Sequence, residues 1–365
     1  LKLLDKQETR IGTMQRKLPS KRVTIHDVAQ HAKVSKTSVS RYFGDDRKLL
    51  SDTLQKRIAN SINALDFRPD RLASSLRGRH TQLIGMIVND ITNPFTAQII
   101  QAVETSCQQK GLTLIICSSN GDTALEKQHL ETLASYHIEG LVIHPLSQTT
   151  ALEKVASEGM PIVVIDRLLP RFEAHFVGLD NQQAVELGFK HLTAQGFTRV
   201  IYLTAAINGI SSREERAHAV QQYLSSPQYP IEGELLEIRD ELTDTLVLER
   251  AIRSLAQYNE KTALFCANTP IALLALEQLN DLELHDRIGI LTIDEERWSP
   301  LVGKGISTLA QPTKVIGTTA MSLLCKQMNA PGTRKVKHFY PATLHARHST
   351  LVAGKPHHSP IDAIA

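Results

Sequence analysis

Two successive series of short apolar runs, each run followed by an amphipathic helical pattern, limit what this 365-residue chain can fold into. The first series reads LIGMIV at 83–88, LTLIICS at 112–118, GLVIHPL at 140–146, PIVVID at 161–166 and FVGLD at 176–180. The second reads RVIYLTA at 199–205, LLEIRD at 235–240, ALFCAN at 263–268 and IGILTID at 288–294. Between them lie amphipathic helical patterns such as Phe95 to Lys110, Asn181 to Gln195 and Pro270 to Leu279. Runs of Val, Ile and Leu without polar alternation belong to strands covered on both faces, and their alternation with helices requires parallel sheets. The pattern therefore predicts an α/β body over 81–354 made of two lobes, each a doubly wound parallel sheet. Lobe one takes about 81–180 and 312–340, and lobe two about 181–311 and 341–354. A last helix over about Pro312 to Met328 and the final strands close both lobes. Such sheets bind ligands in the crevice beyond the carboxyl ends of their strands.

The first 80 residues differ in kind. They carry 18 Lys and Arg against 8 Asp and Glu, a net of +10, whereas the rest carries 23 against 30, a net of −7. A basic head on an acidic body fits a chain whose one end meets a polyanion. Residues 1–22, with Met14 ahead of the first recognisable element, read as a disordered tail, and 355–365 as another. Residues 23–68 read as three short helices. Thr24 caps the first, which carries Ile25, Val28, Ala29 and Ala32 at helical spacing with Asp27 near its N-terminus. Lys33 and Val34 turn the chain, and Ser35 caps a second helix holding Val39 and Phe43. The third runs from about Ser51 to Leu65 with Leu54, Ile58, Ile62 and Leu65 on one face. This is the layout of a helix-turn-helix, whose second helix presents Lys36, Thr37, Ser40 and Arg41 outward. Lys and Arg donate to guanine, Thr meets a thymine methyl, and Ser bonds phosphates or base edges.

The string TIHDVAQHAKVSKTSVSR from Thr24 to Arg41 resembles the opening of the lactose-repressor (LacI/GalR) family. Asp70-Arg71-Leu72-Ala73-Ser74-Ser75-Leu76 resembles that family's hinge, placed here at 69–80. The resemblance implies that Lys36, Thr37 and Arg41 touch base edges and that Thr24, Ser35 and Ser40 help hold phosphates. It also implies that Arg71, Ala73 and Leu76 belong to a hinge helix that forms on the operator, Leu76 wedging into the minor groove. Lys33 departs from the family, which usually has Gly in this turn. A positive φ there would cost a Lys about 1 kcal/mol.

The body is similar to periplasmic sugar-binding proteins, with a ligand between its lobes. Its marker strings are Asp90 to Phe95, Asp166-Arg167, Asp180-Asn181, Ser212 to Arg216, Ala267-Asn268, Ile293-Asp294 and Gln311-Pro312. Asn93, Phe95, Asp166, Arg167, Arg216, Asn268, Asp294 and Gln311 are the expected effector contacts. A strand-end Asp or Asn binds paired hydroxyls, and an Arg forks onto a hydroxyl pair or a carboxylate. Asn93, ahead of Pro94, suits a turn as well as a ligand, and Asp180 suits a helix cap. Thr269 and Glu295 replace residues usual in the family's cleft. Aromatic residues make up only 5% of the chain, which disfavours stacking of a purine. Arg167 and Arg216 favour an anionic sugar derivative, and the chain resembles members that answer to ketogluconates; a neutral sugar stays open.

The resemblance implies a homodimer on a palindromic operator, with effector and DNA affinities coupled reciprocally through lobe movement. The tail after Gly354 has no leucine heptads for a tetramer. No dinucleotide fingerprint, Walker loop, nucleophile elbow or HExxH string marks an enzyme, and neither a cofactor nor a metal is expected. His129, His144 and His191 read by default as surface or cap residues. Cys107, Cys117, Cys266 and Cys325 are scattered and read as small buried apolar groups in a reducing compartment. No apolar run spans a membrane, and charges interrupt any signal-peptide core, so a cytoplasmic location is expected.

Overall fold

The computed structural model describes residues 23–67, 80–147, 149–239 and 244–351, and the chain divides into two units at Arg79/His80. The hinge at 69–80, with Arg71, Ala73 and Leu76, lies outside the described residues apart from His80, as do both tails.

In the first unit, helices α1 (Ile25–His31), α2 (Lys36–Tyr42) and α3 (Asp52–Ala64) surround Val28, Ala29, Val39, Leu50, Ile58 and Phe67. A 3₁₀ turn over Asp45–Leu49 follows α2. Ser35 and Ser51 cap α2 and α3, and Thr24 closes a capping box with Asp27. Lys33 does take positive φ, at 51°. Arg57 of α3 offsets that strain by donating to the carbonyls of Ala32 (3.1 Å) and Lys33 (2.8 Å), which holds the turn from outside.

The second unit carries two six-stranded sheets. Sheet one holds β1 (Leu83–Val88), β2 (Thr113–Ser118), β3 (Gly140–Ile143), β4 (Ile162–Ile165), β5 (His175–Leu179) and β11 (Lys337–Tyr340), in the order β11-β5-β4-β3-β1-β2 and parallel throughout. Sheet two holds β6 (Arg199–Ala205), β7 (Glu232–Ile238), β8 (Thr262–Cys266), β9 (Ile288–Ile293), β10 (Ser307–Ala310) and β12 (Thr343–His345), in the order β12-β10-β9-β8-β6-β7. Its β10–β12 ladder is antiparallel, where parallel sheets were expected. The short return from β11 explains this: β12 starts three residues after Tyr340, too soon for a crossover helix.

Helices α4 (Pro94–Gln109), α5 (Thr123–Ser135), α6 (Thr150–Ser157) and α11 (Thr313–Asn329) flank sheet one. Helices α7 (Asn181–Ala194), α8 (Ser211–Leu224), α9 (Thr245–Leu255) and α10 (Thr269–Asp281) flank sheet two. Each sheet has an apolar cluster on either face, so the central strands are buried on both sides. Cys107 and Cys266 lie in these cores, whereas Cys117 and Cys325 are half-buried, and all four are free thiols. Among the described residues, no helix is long and apolar enough to cross a membrane.

The chain passes between lobes at Asp180–Asn181, Gln311–Thr313 and Pro341–Ala342. Helix α11 is tied closely to α4. A Cβ built on Gly317 would stand 2.6 Å from Ala102 Cβ and 3.1 Å from the Ile99 carbonyl oxygen. Gly317→Ala should therefore destabilise the chain by about 1–3 kcal/mol in urea unfolding. Adding Ala102→Gly should recover part of that loss, and a silent single variant would refute the close-packing account.

Candidate functional site

The exposed face of α2 is the first candidate surface. Lys36 and Thr37 stand one turn before Ser40 and Arg41, and Lys36, Thr37 and Arg41 are exposed while Val39 is buried. Thr24 and Ser35 are differently placed. The Thr24 hydroxyl donates to Asp27 (2.7 Å), and Ser35 Oγ accepts from the Ser38 amide (3.0 Å), so both serve as helix caps.

The second candidate is a cavity of about 240 Å³ between the lobes of the body, and all eight expected effector residues line it. They do so from strand ends and helix starts. Asp166 follows β4 and Asp294 follows β9, both in left-handed backbone with φ of 60° and 84°. Asp tolerates that region better than most residues, and here it aims both carboxylates across the strand ends. Asn93 caps α4 by accepting from the Phe95 amide (3.0 Å), and Asn268 caps α10 by accepting from the Ile271 amide (3.2 Å). The turn and ligand readings of Asn93 are thus compatible: Oδ1 makes the cap, and the amide NH2 remains for the cavity. Asp180 caps α7 through the Gln183 amide.

Asp166 is the centre of a buried network. Its Oδ2 accepts from His144 Nε2 at 3.0 Å and from Ser212 of the other lobe at 3.3 Å. Burial alone would raise its carboxyl, but the hydrogen bond from His144 and the charges of Arg216 and Arg167 hold it well below the usual carboxylate range. Burial pushes His144 down, followed by the nearby Arg167, so the imidazole is neutral near pH 7 and donates through Nε2. His144 therefore corrects its reading as a surface or cap residue. It lies at the end of β3 and packs edge-on to Phe95. His191 is also buried, bonds the Thr350 hydroxyl at 2.6 Å and is pushed down to about 4 by burial. His129 is half-buried and bonds the Ser118 carbonyl.

Arg216, 4% exposed, donates to Asn181 Oδ1 (2.7 Å) and to the Ala267 carbonyl (2.8 Å). Asp294, 5% exposed, accepts from Gln311 Nε2 (2.7 Å) and the Thr269 amide (3.2 Å). Burial raises its carboxyl against the pull of Arg216 and these two donors. Thr269, read as a departure, thus contributes its backbone. Arg167 is 6% exposed and, among the described residues, donates to the Pro145 carbonyl alone (3.3 Å), with Nε unpartnered. Asn89 Oδ1 and Gln311 Oε1 are likewise buried and unpartnered at this cavity.

Ser212 and Arg213, within a marker string but not among the expected contacts, also line the cavity, as does Arg239, which the sequence did not single out. The signal for Arg213 was its place one turn before Arg216 on α8, which puts both on one face. No cluster of His, Cys, Asp or Glu among the described residues could hold a metal ion.

Residues 24–70 match the family described as "Bacterial regulatory proteins, lacI family", and residues 189–350 match a "Periplasmic binding protein-like domain". Over 340 residues the chain is 40% identical to the HTH-type transcriptional regulator PtxS of Pseudomonas aeruginosa, covering 92% of this chain and 98% of that one. It is 33% identical to the HTH-type transcriptional regulator KdgR of Bacillus subtilis, over 84% of this chain and 91% of that one. In fold it is similar to the lac repressor dimer bound to operator and the anti-inducer ONPF, with a TM-score of 0.78 at 21% identity, covering 91% of this chain and 100% of that one.

A titratable link also joins the two lobes through Gln98 and Glu296. Gln98 of α4 lies 3.4 Å from Glu296 Oε1, and Thr313 donates to Gln98 at 2.9 Å. Arg347 forks onto the neighbouring Glu295 (2.6 and 2.9 Å), keeping that carboxylate charged. Burial, then the charges of Asp294 and Glu295, push Glu296 up to about 7. The folded state thus keeps a proton that the unfolded state has released, and this group's contribution to stability falls as pH rises from the ordinary glutamate range to about 7. Melting curves should show Glu296→Gln gaining on wild type as pH is raised through that window. A difference independent of pH would contradict the shift.

Proposed function

The chain belongs to the LacI family of bacterial regulatory proteins, and from that premise we propose how its two units divide the work of a transcriptional regulator. The first unit reads operator DNA with α2 in the major groove. Lys36, Thr37 and Arg41 meet base edges, and Ser40 contributes on the same face. What carries this reading is that exposed row, on a helix fixed from behind by Val39 and from the turn by Arg57. Thr24 and Ser35 act as caps that orient the helix, and reach phosphate only if those cap bonds are exchanged. The hinge residues Arg71, Ala73 and Leu76 keep the minor-groove role that the family resemblance gives them. Two copies, as a homodimer in the cytoplasm, match the two halves of a palindromic operator.

The second unit binds a small carbohydrate between its lobes. Asp166, Asp294 and the amides of Asn93, Asn268 and Gln311 suit a polyhydroxylated ligand, with Phe95 as an apolar wall and Arg167 and Arg216 favouring a sugar acid such as a gluconate derivative. The ligand shifts the lobes between arrangements and so alters operator affinity, and the regulated genes are those of sugar-acid catabolism under repression.

Footprinting on DNA flanking the protein's own gene, with and without gluconate-type acids, tests both halves. A protected palindrome whose occupancy responds to an acid is expected. Replacing Lys36, Thr37 and Arg41 together with Ala should weaken operator binding by at least about 100-fold, from ~1–3 kcal/mol for each base contact. Unchanged affinity in that triple variant would remove α2 as the reader.

A further inference from the structure

We propose that Arg213, together with Arg167, forms the seat for a carboxylate group on the effector. This rests on the interlobe cavity being the effector site, and it assigns the charge selectivity of that site to particular residues.

Four arginines line the cavity, Arg167, Arg213, Arg216 and Arg239, against the carboxylates Asp90, Asp166 and Asp294. The carboxylates are already engaged. Asp90 accepts from the Thr92 amide and hydroxyl, Asp166 from His144 and Ser212, and Asp294 from Gln311 and the Thr269 amide. Arg216 feels both Asp166 and Asp294, and its guanidinium is fixed by Asn181 and the Ala267 carbonyl.

Arg167 and Arg213 share the charge of Asp166 with Arg216, and Arg167 also feels the buried Glu126. Neither makes an ion pair with a carboxylate among the described residues: Arg167 donates to the Pro145 carbonyl and Arg213 to the Ala206 carbonyl (2.6 Å). The buried Nε of Arg167 has no partner at all. The two guanidiniums approach each other from opposite lobes, one from the strand end after β4 and one from α8. Burial and the proximity of Arg167 push Arg213 down to about 10. The other ionisable groups in reach are neutral His144, Asp166, Glu126, Tyr202 and Arg216.

Two partly desolvated cations that share the Asp166 carboxylate with a third are costly, and a bound anion relieves both. A carboxylate suits the site because it accepts a planar fork from each guanidinium, which a neutral hydroxyl cannot do with equal strength. Because the two cations come from different lobes, the carboxylate also joins the lobes, so charge recognition and lobe closure are one event.

Calorimetric titration of the full chain with gluconate and 2-ketogluconate, and with glucose and sorbitol as uncharged comparators, tests the assignment. Arg213→Gln should lower the preference for acid over neutral ligand by roughly 10- to 100-fold, and Arg213→Lys should restore part of it. Melting curves check that each variant is folded. Should the Gln variant not fold, the Lys variant must still weaken acid binding more than polyol binding. Acids that bind wild type and both variants alike would overturn the role of Arg213 while leaving the sugar-acid effector standing. A wild-type protein that binds glucose or sorbitol but neither acid would overturn both.

Discussion

The Asp166 carboxylate is the charge around which the cleft is organised. It sits at the end of β4 in a left-handed backbone conformation and receives His144 from its own lobe and Ser212 from the other. A carboxylate so deeply buried survives as an anion only because donors and guanidiniums surround it. That requirement explains why His144 presents its proton on Nε2, while burial and Arg167 keep the ring neutral against the pull of the carboxylate. If Asp166 were apolar, His144 and Ser212 would both lose a buried partner at once. The Leu168 amide donates to Ser211 at 2.7 Å, so the segment leaving Asp166 is tied to the start of α8 as well.

A second constraint acts behind the cavity wall. Glu126 of α5 is fully buried, and its Oε2 accepts from the Leu146 amide at 2.8 Å. Burial raises its carboxyl, while that amide and Arg167 draw it down. The segment after β3 is therefore held from the back, which fixes the Pro145 carbonyl that Arg167 uses. The arginine is presented by a chain of contacts reaching a helix on the far side of the segment.

Much of this was legible in the order of residues, for reasons that differ by element. The central strands announced themselves because burial on both faces leaves no room for polar residues, as in LIGMIV and ALFC. Strand β10, Ser307–Ala310, stayed hidden because its buried Ser307 and Thr308 are satisfied by the Arg347 segment and Glu295, partners far away in sequence. The same limit concealed His144 and Arg213. A strand-end histidine looks like any surface histidine until its carboxylate is found 22 residues later. Arg213 carries no local mark beyond its helical spacing from Arg216. Lys33, by contrast, was recognisable as an anomaly from the turn alone, but its remedy in Arg57 needed the folded helix α3.

The three strands of chain that join the lobes, at Asp180–Asn181, Gln311–Thr313 and Pro341–Ala342, have a mechanical consequence. A single tether would let two bodies swivel, slide and drift apart. Three stitched side by side behave like the spine of a book, admitting a change of opening angle while resisting shear and separation. Work done by a molecule wedged between the covers is thus funnelled into one coordinate instead of being dissipated over six.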